Sequence, residues 1–168
     1  MSDERDAAIA AVTLHPGMLA TASEQQRREW EVALREIEGA EGLKLRAAGH
    51  AGEALEMQIR TAPGGFDLRL RRPSGLLVRE LALRSDELRD SIDEYLGIVE
   101  QMRPDSPHFN RMRLEALDVA KRIVHDESAQ RVRKLLGESV VLDLETARRL
   151  FTLLCVVVYR PRPASKRD

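Results

Sequence analysis

The chain has a single cysteine, Cys155, among its 168 residues, so no disulfide can form within it. A fold that relies on no cross-link fits a reducing compartment. Aromatics are scarce as well: one Trp, two Tyr and three Phe. That is too few for the stacking platforms on which single-stranded nucleic acids are read. Neither sign of charge is in excess, since 27 basic residues stand against 28 acidic ones for a net −1. Phosphate backbones are held by concentrated positive charge, so this balance argues against a nucleic-acid partner. The residues from Met1 to Ala11 carry acids and no apolar run of signal-peptide length. The longest apolar run toward the C-terminus, Leu153 to Tyr159, is far short of the ~20 residues that span a bilayer. The expectation is a soluble, cytoplasmic protein with no membrane association. His15, His50, His108 and His125 are scattered, with no His-x-x-x-His pair to start a zinc site. No GxxxxGK phosphate loop occurs. Neither a metal nor a cofactor is expected.

What is present describes a globular domain. Hydrophobic residues make up 43% and charged residues 33% of the chain, enough for a core under a well-solvated surface. A chain of this length buries roughly 70% of its unfolded surface. Residues 1–159 are expected to form one domain, followed by a flexible basic tail over 160–168. Ile9 to Leu14 alternates as a strand, and His15-Pro16-Gly17 breaks it. Ser23 and Gln26 have the spacing of a capping box, and Trp30, Leu34 and Ile37 then share one helix face until Gly39 and Gly42. Lys44 to Glu53 is expected to be loop. Leu55, Met57, Ile59 and Thr61, then Phe66, Leu68 and Leu70, then Leu76 to Leu83, alternate around two turn signals. That pattern predicts an antiparallel β-meander, apolar on one face. A helix capped by Ser85 follows, with Leu88, Ile92, Tyr95, Leu96, Val99 and Met102 as its stripe. The next helix is expected to start near Pro107 and turn Phe109, Met112, Ala116, Leu117, Ala120, Ile123 and Val124 inward. It is expected to break near His125 to Ser128 and to stop at Gly137. Asp143 caps a last helix that is apolar almost all round, with an extended end at Val156 to Val158. The fold class is α+β: a small antiparallel β-meander covered on one face by helices, with a helix-rich C-terminal half.

Two stretches of the C-terminal third carry a resemblance. DVAKRIVHDES at 118–128 and LDLETARRLFTLLCVV at 142–157 resemble the signature region of a bacterial group, uncharacterised protein family UPF0262. The likeness runs from about Ser23 to Val158 and is tightest over Thr146 to Cys155. His125-Asp126-Glu127-Ser128 stands where the family pattern has His-Asn-Glu-Gly, and Lys121 stands where it has Arg, so the chain resembles a divergent member. The resemblance implies a cytoplasmic protein of unknown activity and supplies no catalytic residues.

The conspicuous polar constellation is Asp118, Arg122, His125 and Glu127, with Arg148 or Arg149 of the last helix within reach. Residues 118, 122 and 125 share a helix face by their spacing. One reading is a salt-bridge network that fastens two helices together. A second is anion or ligand binding by Arg122, His125 and Arg148, and a third is proton transfer at Asp118, Arg122, His125 and Glu127. No nucleophile stands beside them to complete the third. Cys155, among Leu154, Val156 and Val157, reads as a small buried hydrophobe. Arg60, Arg69, Arg71, Arg72 and Arg79 mark the open face of the meander. The expected function is therefore a non-catalytic binding or protein-interaction module with an unidentified protein partner, forming a homodimer through the last helix. Two alternatives stay open: a small enzyme with a site around Asp118, Arg122 and His125, and an RNA- or ribosome-associated accessory factor using the strand arginines.

Overall fold

The structure is a computed structural model and describes residues 6–38, 42–48 and 53–159. Gly39, Gly49, His50, Gly52 and the tail 160–168 lie outside the described residues. The fold is α+β, built on a six-stranded mixed sheet in the order β5-β4-β3-β1-β2-β6.

Strand β1 (Ala7–Leu14) shows how side-chain alternation meets a bulge. Ala7 and Ile9 point inward, but so do Val12 and Leu14, because the register to β3 (Leu55–Ala62) slips between Ile9 and Ala11. One extra residue there changes the parity of the strand. β1 and β3 run parallel, which requires a crossover. The crossover holds α1 (Pro16–Thr21), α2 (Glu24–Ile37) and β2 (Leu43–Leu45). The break expected at His15-Pro16-Gly17 is thus the start of a short helix, in which His15 Nδ1 accepts from the Gly17 N–H at 3.0 Å. α2 opens on the expected capping box: Ser23 Oγ accepts from the Gln26 N–H and Gln26 Oε1 from the Ser23 N–H. The loop expected over 44–53 begins inside β2, which takes in Lys44 and Leu45. Leu43 and Leu45 are buried on either side of exposed Lys44, and a three-residue strand is too short to show a pattern. β2 pairs antiparallel with both β1 and β6 (Val140–Leu142).

The meander is present as β3, β4 (Gly65–Arg71) and β5 (Leu77–Arg84), antiparallel throughout. Leu55, Met57, Ile59, Phe66, Leu68, Leu70 and Leu83 form its core face. At the β3–β4 turn, Gly64 takes φ +79°, and a Cβ on Gly65 would sit 2.1 Å from the Leu83 carbonyl oxygen. Glycine is required at the first by backbone conformation and at the second by the approach of β5.

Three longer helices complete the core: α3 (Asp86–Gln101), α4 (Leu114–Leu136) and α5 (Leu144–Val158). α4 begins after a 3₁₀ turn at Arg111–Arg113 rather than at Pro107, and it runs unbroken through 125–128. Its buried residues Val124, Ser128, Val132 and Leu136 continue at four-residue spacing. The Asp126 and Glu127 that suggested a break lie on the exposed face, where charge does not interrupt a helix. Met112, Ala116 and Ile123, expected inward, face solvent instead. α5 stays helical through its valines because Leu153, Leu154 and Val157 are buried, so packing overrides propensity. Asp143 caps α5, accepting from the Thr146 N–H at 2.7 Å. Hydrogen bonding from Thr146, from its hydroxyl first and its N–H second, holds that carboxyl below the usual range.

Candidate functional site

The polar side chains of the C-terminal half gather where α4 and α5 cross-brace. Arg133 (α4) donates to the Leu142 carbonyl, Asp126 pairs with Arg148, and His125 meets Thr152. These contacts run in opposite sequence order, so the two helices are antiparallel. His125 Nε2 lies 2.8 Å from Thr152 Oγ1, and that hydroxyl donates to the Arg148 carbonyl at 3.0 Å. A hydroxyl has one proton. Where that proton goes to the carbonyl, Thr152 accepts from His125 and the imidazole proton is on Nε2. The ring also sits between Tyr95 of α3 and Phe151 of α5, at centroid separations of 5.5 and 5.7 Å. Burial pushes the His125 pKa down, against smaller upward effects from the Arg148 carbonyl and Asp126. The Tyr95 hydroxyl is pushed up by burial. Which of His125 and Thr152 donates to the other depends on the ring nitrogen that carries the proton.

Arg148 is held on two sides, by Asp126 at 2.8 Å and by Glu145 at 3.5 Å. Its neighbour Arg149 lies 3.5 Å from Glu145 and donates to the Glu36 carbonyl at the end of α2. That last bond satisfies a carbonyl the helix terminus leaves without a partner. A shallow depression of about 430 Å³ lies over these residues, lined by Glu36, His125, Glu145, Arg148, Arg149 and Thr152. An anion entering it would displace acids already paired to both arginines.

Of the residues singled out from the sequence, the structure brings together His125 and Arg148. Asp118 and Arg122 form a separate pair within α4 at 2.8 Å, with side chains 40% and 77% exposed, and they do not reach α5. Glu127 faces solvent. Thr152 was not singled out; its four-residue spacing from Arg148 marks the shared helix face, but nothing local signals the approach to His125. The same holds for Arg131 of α4, which bonds Ser91 and lies 3.3 Å from Glu87, both on α3. Trp30 of α2 donates to the Val156 carbonyl of α5 at 3.2 Å. Among the described residues, no group of three or more His, Cys, Asp and Glu is placed to hold a metal ion.

Of the strand arginines, Arg60, Arg69 and Arg72 meet acids, Arg79 meets carbonyls, and the buried Nε of Arg71 has no hydrogen-bond partner. Asp67, buried on the outer face of β4, accepts from Arg60 at 3.0 Å and from Arg84 at 2.9 Å. Arg69 lies 3.6 Å from Glu80, and Arg72 lies 3.3 Å from Glu53. Arg79 reaches the carbonyls of Arg46 and Ala47. Positive charge spent this way is not free for phosphates. At the far end of the meander, Thr61, Gly65, Phe66, Leu83, Leu88 and Ile92 border a half-open cleft of about 380 Å³ with an apolar floor.

Fold and cluster together define an α+β protein whose prominent polar side chains tie its helices to one another. No helix among the described residues is long and apolar enough to cross a membrane. The model of uncharacterised protein family UPF0262 matches residues 6–160, and the chain belongs to that family. It is similar to a UPF0262 protein of Rhizobium leguminosarum, 30% identical over 67% of this chain and 71% of the relative. A Caulobacter vibrioides member is 28% identical over 90% of this chain and 93% of its own. One from Granulibacter bethesdensis is 36% identical over 63% of this chain and 59% of its own. These relatives are bacterial, and the family is uncharacterised. No solved structure matches the chain.

Proposed function

We propose that this chain is a non-catalytic protein-interaction module, working as one unit over residues 1–159 in the cytoplasm. The observation that carries the reading is the outer face of α4 and its leading turn. Met112 is 93% exposed, Val119 52% and Ile123 53%, on the side of the helix opposite its buried residues. Apolar side chains grouped on one exposed helix face mark an interaction surface more often than scattered ones do. The surface is assigned to α4 and not α5 because α5 is covered within the chain: Leu150, Phe151, Leu153, Leu154, Cys155 and Val157 are all buried. A buried thiol fits a reducing compartment. His125, Arg148 and Arg149 line a shallow depression, but the ring is engaged by Thr152 and the arginines by acids, which favours binding over turnover.

The test is a comparative pull-down from the native cell with the intact chain, a Val119→Asp/Ile123→Asp variant and a Thr152→Val variant, each checked for native circular dichroism. Loss of a specific bound protein in the α4 variant alone is the expected result. An unchanged set of bound proteins in that variant overturns the reading.

A further inference from the structure

We propose that the free edge of β5 pairs with β5 of a second copy of this chain, antiparallel about a two-fold axis through Ala82. This contact does not depend on the α4 surface. β5 is a terminal strand of the sheet, and among the described residues no strand adjoins its other side. The opposite edge, β6, has only three residues. A free edge carries backbone N–H and C=O groups ready to pair with another chain, and proteins commonly block it with short strands, lysine, proline or bulges. β5 has eight residues, LVRELALR, with no lysine, proline or glycine. Its register shift lies at the Leu77 end. Leu77, Glu80, Ala82 and Arg84 are exposed along it. Whether such charges repel a copy or select one register depends on what faces them.

An edge strand meets its own copy antiparallel about an axis perpendicular to the sheet. That axis keeps core-side residues opposite core-side residues, so it passes through a residue and not between two. Of the axis positions from 79 to 84, one brings opposite charges together. An axis through Arg79, Glu80 or Arg84 sets a charge against its own copy. Through Leu81, Glu80 faces Ala82 of the partner subunit, and Arg84 faces Val78 of the partner subunit. Through Leu83, Glu80 faces Asp86 of the partner subunit. Through Ala82, Glu80 faces Arg84 of the partner subunit, and the symmetry repeats the pair. On the core side, Leu81 then faces Leu83 of the partner subunit. Ala82 meets its own copy on the axis and adds no bulk there. The new pair joins two ion-pair ladders that end at the edge. Within the chain, Arg69 lies 3.6 Å from Glu80, and Asp67 pairs with Arg84 at 2.9 Å and with Arg60 at 3.0 Å. Charge then alternates from Arg69 through Glu80 to Arg84 of the partner subunit and Asp67 of the partner subunit. Glu80 and Arg84, with side chains 43% and 51% exposed, are open to that contact. Pairing over 80–84 buries less than the roughly 800 Å² per partner of a lasting complex, so the dimer exchanges with monomer.

Cysteine trapping on the full chain tests the axis. Facing Cα atoms of an antiparallel pair lie about 4.5–5.5 Å apart, within the span of a disulfide, and the buried Cys155 does not compete. In a glutathione buffer, Ala82→Cys is expected to form a disulfide-linked dimer at least several-fold faster than Lys44→Cys, an exposed position on β2. That advantage is expected to vanish in urea. By sedimentation equilibrium from low micromolar to near-millimolar concentration, the intact chain is expected to move from monomer to dimer. Ala82→Lys sets like charges on the axis at an exposed site, and is expected to stay monomeric with native circular dichroism. Equal trapping at 82 and 44, or a dimer indifferent to Ala82→Lys, overturns the proposal. So does a chain that remains monomeric throughout, which would leave the edge to an extended segment of another protein. If the chain is monomeric while the α4 variant still loses a protein in the pull-down, the interaction-module reading stands and only the β5 pairing falls.

Discussion

Individual side chains in this protein make sense through what they touch. Cys155 is 1% exposed, and burial pushes its thiol far above the ordinary range. A thiol in that state neither ionises nor meets a reagent. Ellman's reagent is expected to leave the native protein unlabelled and to label one thiol per chain in denaturant; rapid labelling without denaturant would contradict the packing described for α5. His125 has its pKa lowered mainly by burial. The folded state thus favours the neutral ring, and the unfolded chain binds the proton more readily. Its contribution to stability is full above its unfolded pKa of about 6.5, then falls as the pH drops toward the folded value. Urea-unfolding free energies between about pH 7.5 and pH 5 should decline more steeply for the intact chain than for His125→Gln. Equal slopes would mean that the ring is not desolvated in the fold.

Elements were legible where their pattern is local and long. The meander showed in the alternation of its first two strands and its turn signals, α2 in its capping box, and α5 in Asp143 followed by an apolar run. The bulge in β1 was not legible, because a slip of one residue leaves no mark in an Ala-rich strand. β2 was not legible either: two leucines around a lysine become a strand only through partners on both sides. α4 misled in a more instructive way. It carries two apolar stripes, one around Leu117, Val124 and Val132 and another around Ala116, Val119 and Ile123, and periodicity alone does not say which one meets the core. Asp126 and Glu127 resembled a break only because the buried face passing beside them holds Ser128. At the β3–β4 turn the requirement is steric and local. Gly65→Ala would drive a Cβ into the Leu83 carbonyl, a backbone atom that moves only with β5. A loss of about 1–3 kcal/mol is expected from the chemical-denaturation midpoint, and an unchanged midpoint would show that the hairpin is looser than described.

Over the whole molecule, the polar residues singled out by spacing come together only in part. Spacing on one helix correctly set Asp118 beside Arg122, yet that pair stays on the surface. The contacts that join α4 to α5 pair His125 with Thr152 and Asp126 with Arg148, 27 and 22 residues apart in sequence. No local rule reaches that far. Similar side-chain-to-carbonyl ties recur across the fold, from Trp30 to Val156, Arg149 to Glu36 and Arg133 to Leu142. Each satisfies a polar group that the end of an element leaves without a regular partner. On the sheet, the charges of Arg60, Arg69, Arg72 and Arg84 meet Asp67, Glu80 and Glu53.

The central claim is that these polar residues hold helices in place and do no chemistry on a substrate, and a double-mutant cycle on His125 and Thr152 by urea denaturation addresses it most directly. If they fasten α4 to α5, His125→Ala and Thr152→Ala each lower stability by about 0.5–1.5 kcal/mol. The double variant then shows a coupling of at least about 0.5 kcal/mol. Residues kept for a reaction commonly hold their positions at the expense of stability. Single variants as stable as the intact chain or more so, with no coupling between them, would contradict the account.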